Sequence, residues 1–125
     1  MKKTVSILLI LLAFTTIAFA RPVKRIKMSK GTTKVSASGY LSGYKDKQNF
    51  VIRLRKGQKV TISANRYVSL FITDPKGKDA SDMDLSCHSN QTVENTKAGD
   101  YKILAVQCRK ADEWKGSFKL NITVK

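Results

Sequence analysis

Short runs in which apolar and polar residues alternate one by one recur along this chain, and turn residues separate them. The final run, residues 118–124, alternates without error. Its apolar members are Phe118, Leu120, Ile122 and Val124. A period of two places the apolar side chains of an extended strand on one face, whereas an amphipathic helix repeats them every three to four residues. Because no stretch after residue 20 shows a convincing helical period, we predict an all-β fold.

The spacing of these runs predicts a single antiparallel β-sandwich of about seven or eight strands, to which the two cysteines discussed below add one expected disulfide. The predicted strands are residues 23–29, 34–41, 50–54, 60–64, 67–73, 101–108 and 118–124. The polar segment 78–97 is expected to add a short strand or a pinned loop. The turn at Lys56-Gly57-Gln58 is interpreted as joining residues 50–54 and 60–64 into a hairpin.

The inward positions of these strands predict a core between two sheets. The expected core residues are Phe50, Ile52, Leu54, Val60, Ile62, Leu70, Ile72, Ile103, Ala105, Leu120 and Ile122.

Residues 101–108 are apolar on both alternating faces, which is typical of a central strand. A scaffold holds the loops at the two ends of such a strand rigidly, and recognition residues are common in loops of this kind. Gly99, Tyr101 and Arg109 lie at these two ends and are therefore candidate binding residues. The loop that follows the strand also contains Asp112, Glu113 and the only tryptophan, Trp114.

The first twenty residues are typical of a secretory signal peptide. Lys2 and Lys3 precede a short apolar stretch, and Ala18-Phe19-Ala20 forms an A-x-A cleavage site before Arg21. An N-terminal anchor helix is the alternative, although the apolar part is short for a membrane span. We therefore predict a signal peptide at residues 1–20, one domain at residues 21–125, and a periplasmic or secreted protein without a membrane span.

Cys87 and Cys108 are the only two cysteines, and export would place them in an oxidising compartment. We expect them to form a disulfide. A metal pair or a reactive thiol is the alternative, but His88 is the only histidine and no second cluster of metal ligands exists. No metal or other cofactor is therefore expected.

The formal net charge of +15 is unevenly distributed along the chain. Without residues 1–20 the charge is +13, of which residues 21–66 contribute +12 and residues 67–125 contribute +1. Such a basic half attracts anionic polymers such as lipopolysaccharide or wall polymers, or it only keeps the protein soluble. Export and the weak interleaving of aromatic and basic residues argue against nucleic acid.

The chain offers no convincing catalytic arrangement. Asp84, Ser86 and His88 are close in sequence, but neighbours along a chain do not make a catalytic triad. Asp112 and Glu113 are adjacent, so on an extended chain their carboxylates point in opposite directions and do not form a glycosidase-like pair. We therefore predict that the protein is not an enzyme.

The order of several short motifs resembles the periplasmic inhibitors of g-type lysozyme and the related i-type inhibitors. The motifs are Ser38-Gly39, Gly43-Tyr44, Lys56-Gly57-Gln58-Lys59-Val60, Asp84-Leu85-Ser86, Gly99-Asp100-Tyr101 and Arg109. The wider frame of K-G-Q, D-P-x-G and A-G-x-Y is also similar to the pre-peptidase C-terminal domain family of β-sandwiches.

The resemblance implies that the protein inhibits a g-type or i-type lysozyme by blocking the active-site cleft with loop residues. In these inhibitors a Ser-Gly-x-Tyr loop and nearby basic residues enter the cleft, and here Ala98 replaces the serine. The implied partner-binding residues are Tyr44, Gly99, Asp100, Tyr101 and Arg109. The alternative function is a non-catalytic domain that binds anionic polymers of the cell envelope.

Overall fold

Two four-stranded sheets pack face to face in the computed structural model, which describes residues 21–81, 87 and 89–125. The strands of the described residues are β1 (Lys24–Ile26), β2 (Lys34–Ser42), β3 (Lys47–Leu54), β4 (Val60–Ala64), β5 (Val68–Thr73), β6 (Asn90–Val93), β7 (Gly99–Gln107) and β8 (Lys115–Val124). The predicted signal peptide and the cluster of Asp84, Ser86 and His88 lie outside the described residues.

One sheet has the strand order β1-β3-β7-β5 and the other has the order β2-β8-β4-β6. All strand pairs are antiparallel except β1 with β3, which is parallel. The all-β sandwich prediction is confirmed. The prediction that β7 is an inner strand is also confirmed, since β3 and β5 flank it.

All of the predicted core residues lie between the sheets, each with at most 3% of its surface exposed. The outward face of β7 is less buried than its apolar character suggested. Leu104 and Val106 are half-buried, because the outer face of a sheet in a two-layer sandwich meets solvent.

The predicted hairpin at residues 56–58 is wrong, because β3 and β4 belong to different sheets. Leu54 and Val60 both point into the core, but from opposite layers. The connection crosses the roughly 10 Å between the sheets. The Gly57 N–H donates to the Thr96 carbonyl at 2.7 Å and thereby fastens this crossing to the loop before β7. Alternation along a strand identifies its inward face without identifying its sheet.

The predicted disulfide is confirmed: Cys87 is bonded to Cys108, with their Cα atoms 5.4 Å apart. This bond fastens Cys87, just before β6, to the end of β7. The short strand predicted within segment 78–97 is β6 itself, at Asn90–Val93. No helix of the described residues is long and apolar enough to span a membrane.

The antiparallel pairing gathers the loops at two opposite ends of the sandwich. The disulfide end contains the connections 43–46, 65–67 and 108–114, together with Cys87. The opposite end, called the basic end below, contains the connections 27–33, 55–59, 74–79 and 94–98. Because β7 runs from the basic end to the disulfide end, the residues at its two ends face different surroundings.

Candidate functional site

The β7–β8 loop, residues 108–114, is fastened where it leaves the sheet. Cys108 is buried and bonded to Cys87. The buried side chain of Gln107 binds the backbone of Trp114 twice: its Oε1 accepts from the Trp114 N–H at 3.0 Å, and its Nε2 donates to the Trp114 carbonyl. The two ends of the loop are thus held together by a single side chain, so the loop is presented in a fixed geometry.

The β2–β3 turn, residues 43–46, packs against this loop. The Gly43 N–H donates to the Trp114 carbonyl at 3.0 Å, and the Tyr44 hydroxyl donates to the Ala111 carbonyl. The Tyr44 N–H also donates to Glu113 Oε2 at 3.3 Å. Gly43 has φ 87°, a left-handed conformation that favours glycine at this contact. We call residues 43–46 and 108–114 together the loop platform.

Arg109 is exposed on the loop platform, with its guanidinium carbon 6.0 Å from the centre of the Tyr44 ring. This distance fits a weak cation–π contact, which orients the arginine side chain. Among the described residues, Arg109 has no carboxylate within ion-pair distance. A guanidinium without an ion-pair partner can bind an incoming carboxylate through two parallel hydrogen bonds.

Arg66, in the β4–β5 connection, supports the platform through its contact with Trp114. The Arg66 guanidinium carbon lies 4.0 Å from the centre of the Trp114 ring, and its Nη1 donates to the Ser117 carbonyl at 3.2 Å. The half-buried Trp114 also packs edge-on against Phe118, with ring centres 6.5 Å apart. The tryptophan therefore links the platform to the core.

The sequence-based prediction did not include Gln107 or Arg66 in the site. Gln107 continues the inward series of Tyr101, Ile103 and Ala105, so a polar residue at a core position was the available signal. The contact of Arg66 with Trp114 has no comparable signal, because it joins residues 48 positions apart in the chain.

Gly99, Asp100 and Tyr101 lie at the basic end, at the start of β7. Tyr101 is only 3% exposed, and its hydroxyl accepts the Lys97 N–H at 2.8 Å. Tyr101 therefore has no exposed side chain with which to make the predicted contact with a partner. Gly99 has φ 136°, and a Cβ added there would lie 2.8 Å from the Pro75 side chain, so the position accepts only glycine without rearrangement.

Asp100 is exposed, but its carboxylate already has a partner. Arg25 donates to its two oxygens at 3.1 and 2.9 Å. These hydrogen bonds, together with the attraction of the Arg25 and Arg53 charges, lower the pKa of Asp100, and the same pair raises the pKa of Arg25. The ion pair between Arg25 and Asp100 therefore connects the edge strand β1 to β7 across the intervening strand β3.

The five predicted partner-binding residues thus form two groups. Tyr44 and Arg109 are in contact on the loop platform, whereas Gly99, Asp100 and Tyr101 are at the opposite end. Arg109 lies eight positions after Tyr101, which corresponds to about 27 Å of extended chain. A loop surface that enters one cleft can include only one of these groups.

The described residues contain no group of three or more histidine, cysteine, aspartate or glutamate side chains that could hold a metal ion. In the described part of the chain, the disulfide end exposes the guanidinium of Arg109 beside the Tyr44 ring, on a fastened loop that also contains Asp112 and Glu113.

No protein-family profile and no curated protein matches the sequence. The structure resembles that of PliG from Aeromonas hydrophila, a periplasmic inhibitor of g-type lysozyme, with a TM-score of 0.65 and 14% identity over 82% of this chain and 96% of that one. PliG from Salmonella Typhimurium gives 0.60 and 22% identity over 85% and 100%. The pre-peptidase C-terminal domain of a Bacillus anthracis collagenase gives 0.57 and 14% identity over 87% and 100%. At these identities the likeness establishes the shared sandwich fold.

Proposed function

We propose that this chain is a non-catalytic, periplasmic or secreted inhibitor of g-type lysozyme that blocks the active-site cleft with the loop platform. The observation that supports this proposal best is the exposed, unpaired guanidinium of Arg109, held over Tyr44 on a loop fastened at both ends. Enzymes that cleave glycosidic bonds depend on carboxyl groups beside the scissile bond. A guanidinium that enters such a cleft can pair with one of these carboxylates and exclude the substrate.

The rigidity of the platform favours tight binding. Ordering a flexible loop costs free energy when a complex forms, and a loop that is already ordered avoids that cost. The disulfide, the Gln107 side chain and the Tyr44 hydroxyl all restrain residues 108–114 before any partner is present. The likeness to the PliG structures supports the proposal at the level of the scaffold.

Most of the positive charge of the chain lies outside the loop platform. Residues 108–114 contain two basic and two acidic side chains, so the loop itself is close to neutral. Long-range repulsion from a basic lysozyme would act mainly on the basic end, which points away from the proposed interface. Ionic screening shortens that repulsion further, to about 10 Å at 0.1 M salt.

The test is a cell-wall lysis assay with purified protein titrated against g-type, i-type and c-type lysozymes. We expect stoichiometric inhibition of a g-type enzyme, and we expect Arg109→Ala to weaken it about 30-fold or more, which is typical of truncating one partner of a desolvated charge pair. Arg109→Lys should restore only part of the loss, because an ammonium group cannot form the two parallel bonds.

Lys102→Ala is the matched control, because Lys102 is an exposed cation on the outer face of β7 away from the platform. It should leave inhibition unchanged. Equal losses in Lys102→Ala and Arg109→Ala, or no inhibition of any lysozyme class by the unmodified protein, would contradict the proposal.

A further inference from the structure

A cleft of about 960 Å³ opens at the basic end, between the connection 27–33, the turn after β3 and the end of β8. The basic residues that line it are Arg25, Lys27, Lys30, Arg53, Arg55 and Lys125. Within the described part of the chain, no aspartate or glutamate lines this cleft. Such a concentration of one charge raises the local concentration of anions.

Several of these basic side chains form no ion pair with a carboxylate of the described residues. In the described ranges, Lys27, Lys30 and Arg55 are exposed and have no acidic group within 4.0 Å. The carboxylate of Asp100 is held by both of its oxygens to Arg25, another residue of the cleft wall. Among the described residues, no carboxylate offsets the mutual repulsion of Lys27, Lys30 and Arg55, and an added anion would relieve it.

The walls of the cleft are formed before any ligand binds. The Thr32 N–H donates to the Ser29 carbonyl at 3.1 Å, and the Val124 N–H donates to the Thr33 carbonyl at 2.8 Å, so the connection 27–33 is closed on itself and joined to β8. On the other side, the Arg55 N–H donates to Gln58 Oε1 at 2.7 Å. A cleft with fixed walls loses little entropy when it is occupied.

The size and lining of the cleft indicate the kind of anion. Its volume falls in the range of small-molecule sites and is far larger than one phosphate ion needs. The hydroxyl-bearing residues Ser29 and Thr33 lie among the cations, together with Thr32, whose hydroxyl already donates to the Ser29 carbonyl at 2.6 Å. Guanidinium groups bind phosphate oxygens in pairs, and neighbouring hydroxyl groups suit the hydroxyls of a sugar.

From these observations we infer that the cleft at the basic end binds a saccharide bearing two or more phosphate groups. Arg55 and Arg53 bind phosphate oxygens, Lys27 and Lys30 neutralise the remaining charge, and the hydroxyl-bearing wall contacts the sugar. This site is distinct from the loop platform and does not rest on the proposed inhibition of lysozyme. The chain would then hold a phosphorylated envelope sugar at one end while its other end remains free.

Calorimetric titration of the protein with glucose 1,6-bisphosphate at low salt tests the inference. We expect saturable one-to-one binding at least tenfold tighter than that of inorganic phosphate, no binding of glucose, and an affinity that falls steeply with salt. The variant Lys27→Gln/Lys30→Gln/Arg55→Gln should weaken binding at least tenfold. The variant Lys47→Gln/Lys102→Gln/Lys119→Gln removes the same net charge outside both the cleft and the loop platform, and it should retain most of the affinity.

Amide NMR shifts of the unmodified protein provide a readout that does not depend on how the variants fold. The bisphosphate should move the signals of residues 27–33 and 55–58 and leave those of the loop platform in place. Equal weakening in the two triple variants, shifts spread over the whole surface, or no saturable binding would overturn the inference. Binding to phosphatidylglycerol vesicles without binding to the bisphosphate would also overturn it and would identify a membrane surface as the ligand.

Discussion

Asp74 is a buried carboxylate whose hydrogen bonds hold the turn after β5. It accepts the N–H groups of Lys76 and Lys78, each at 2.9 Å, and the Lys97 ammonium at 3.1 Å. The bond from the Lys78 N–H is the main cause of a lowered pKa at Asp74, and the Lys97 contact adds to it, while burial opposes both. In the unfolded chain an aspartate titrates near pH 3.9, so the folded state binds its proton less readily.

This difference predicts how stability depends on pH. The contribution of Asp74 is fully present above about pH 4 and is lost as the pH falls through the lower pKa of the folded state. Asp74→Asn keeps an acceptor for the two N–H groups but has no charge to titrate. We expect the variant to be less stable at pH 7 and to approach the stability of the unmodified protein near pH 2, as measured by urea unfolding. A stability difference that is the same at every pH would contradict this assignment.

Tyr101 is expected to act through the core. Its hydroxyl makes one hydrogen bond, to the Lys97 N–H, so Tyr101→Phe should lower the free energy of unfolding by about 1 kcal/mol. Lysozyme inhibition should not change. Tyr40→Phe is the control, because the Tyr40 ring is 40% exposed on the outer face of β2 and neither measurement should respond. If Tyr101→Phe abolished inhibition at unchanged stability, Tyr101 would belong to the partner surface after all.

At the scale of the element, the disulfide and the β7–β8 loop form one unit. The bond encloses a 21-residue separation, for which chain entropy predicts a contribution of about 3 kcal/mol. Cys87→Ala/Cys108→Ala should lose about that much in urea unfolding and should inhibit lysozyme more weakly, because the platform loses one of its anchors. Adding reductant should bring the unmodified protein to the same midpoint and should leave the variant unchanged. A variant with unaltered stability would contradict the role of the bond.

The strands themselves could be predicted from the sequence, whereas their assignment to the two sheets could not. Alternation marks which face of a strand is buried, and the predicted core was correct for this reason. It contains no information on which of two layers supplies that face, so the connection between β3 and β4 was mistaken for a hairpin.

Candidate site residues were subject to the same limit. The sequence placed Tyr101 and Arg109 at the ends of β7, but only the antiparallel pairing shows that Tyr44 joins Arg109 while Tyr101 lies in the core. Contacts such as Gln107 with Trp114 depend on side chains meeting after the strands have paired. A polar residue at an inward position hints at such a contact without naming its partner.

At the scale of the whole molecule, charge is separated along the strand axis. The cleft residues place uncompensated positive charge at the basic end, and residues 108–114 at the disulfide end are balanced in sign. Residues 108–114 therefore present little net charge to an approaching partner, although Arg66 beside Trp114 adds a positive charge at this end. One small sandwich can bind two partners of different charge, because its two sets of loops lie a strand length apart.

This separation predicts how the association rate with a basic g-type lysozyme responds to charge. Because the basic end repels such an enzyme at long range, Lys27→Gln/Lys30→Gln/Arg55→Gln should raise the association rate severalfold at low salt, by up to about tenfold. The dissociation rate should not change, since the substituted residues lie outside the proposed interface. Surface plasmon resonance at increasing salt should show the two association rates converging as the field is screened. A slower association or a faster dissociation of this variant would mean that lysozyme docks at the basic end, and the assignment of the loop platform as the inhibitory surface would then be wrong.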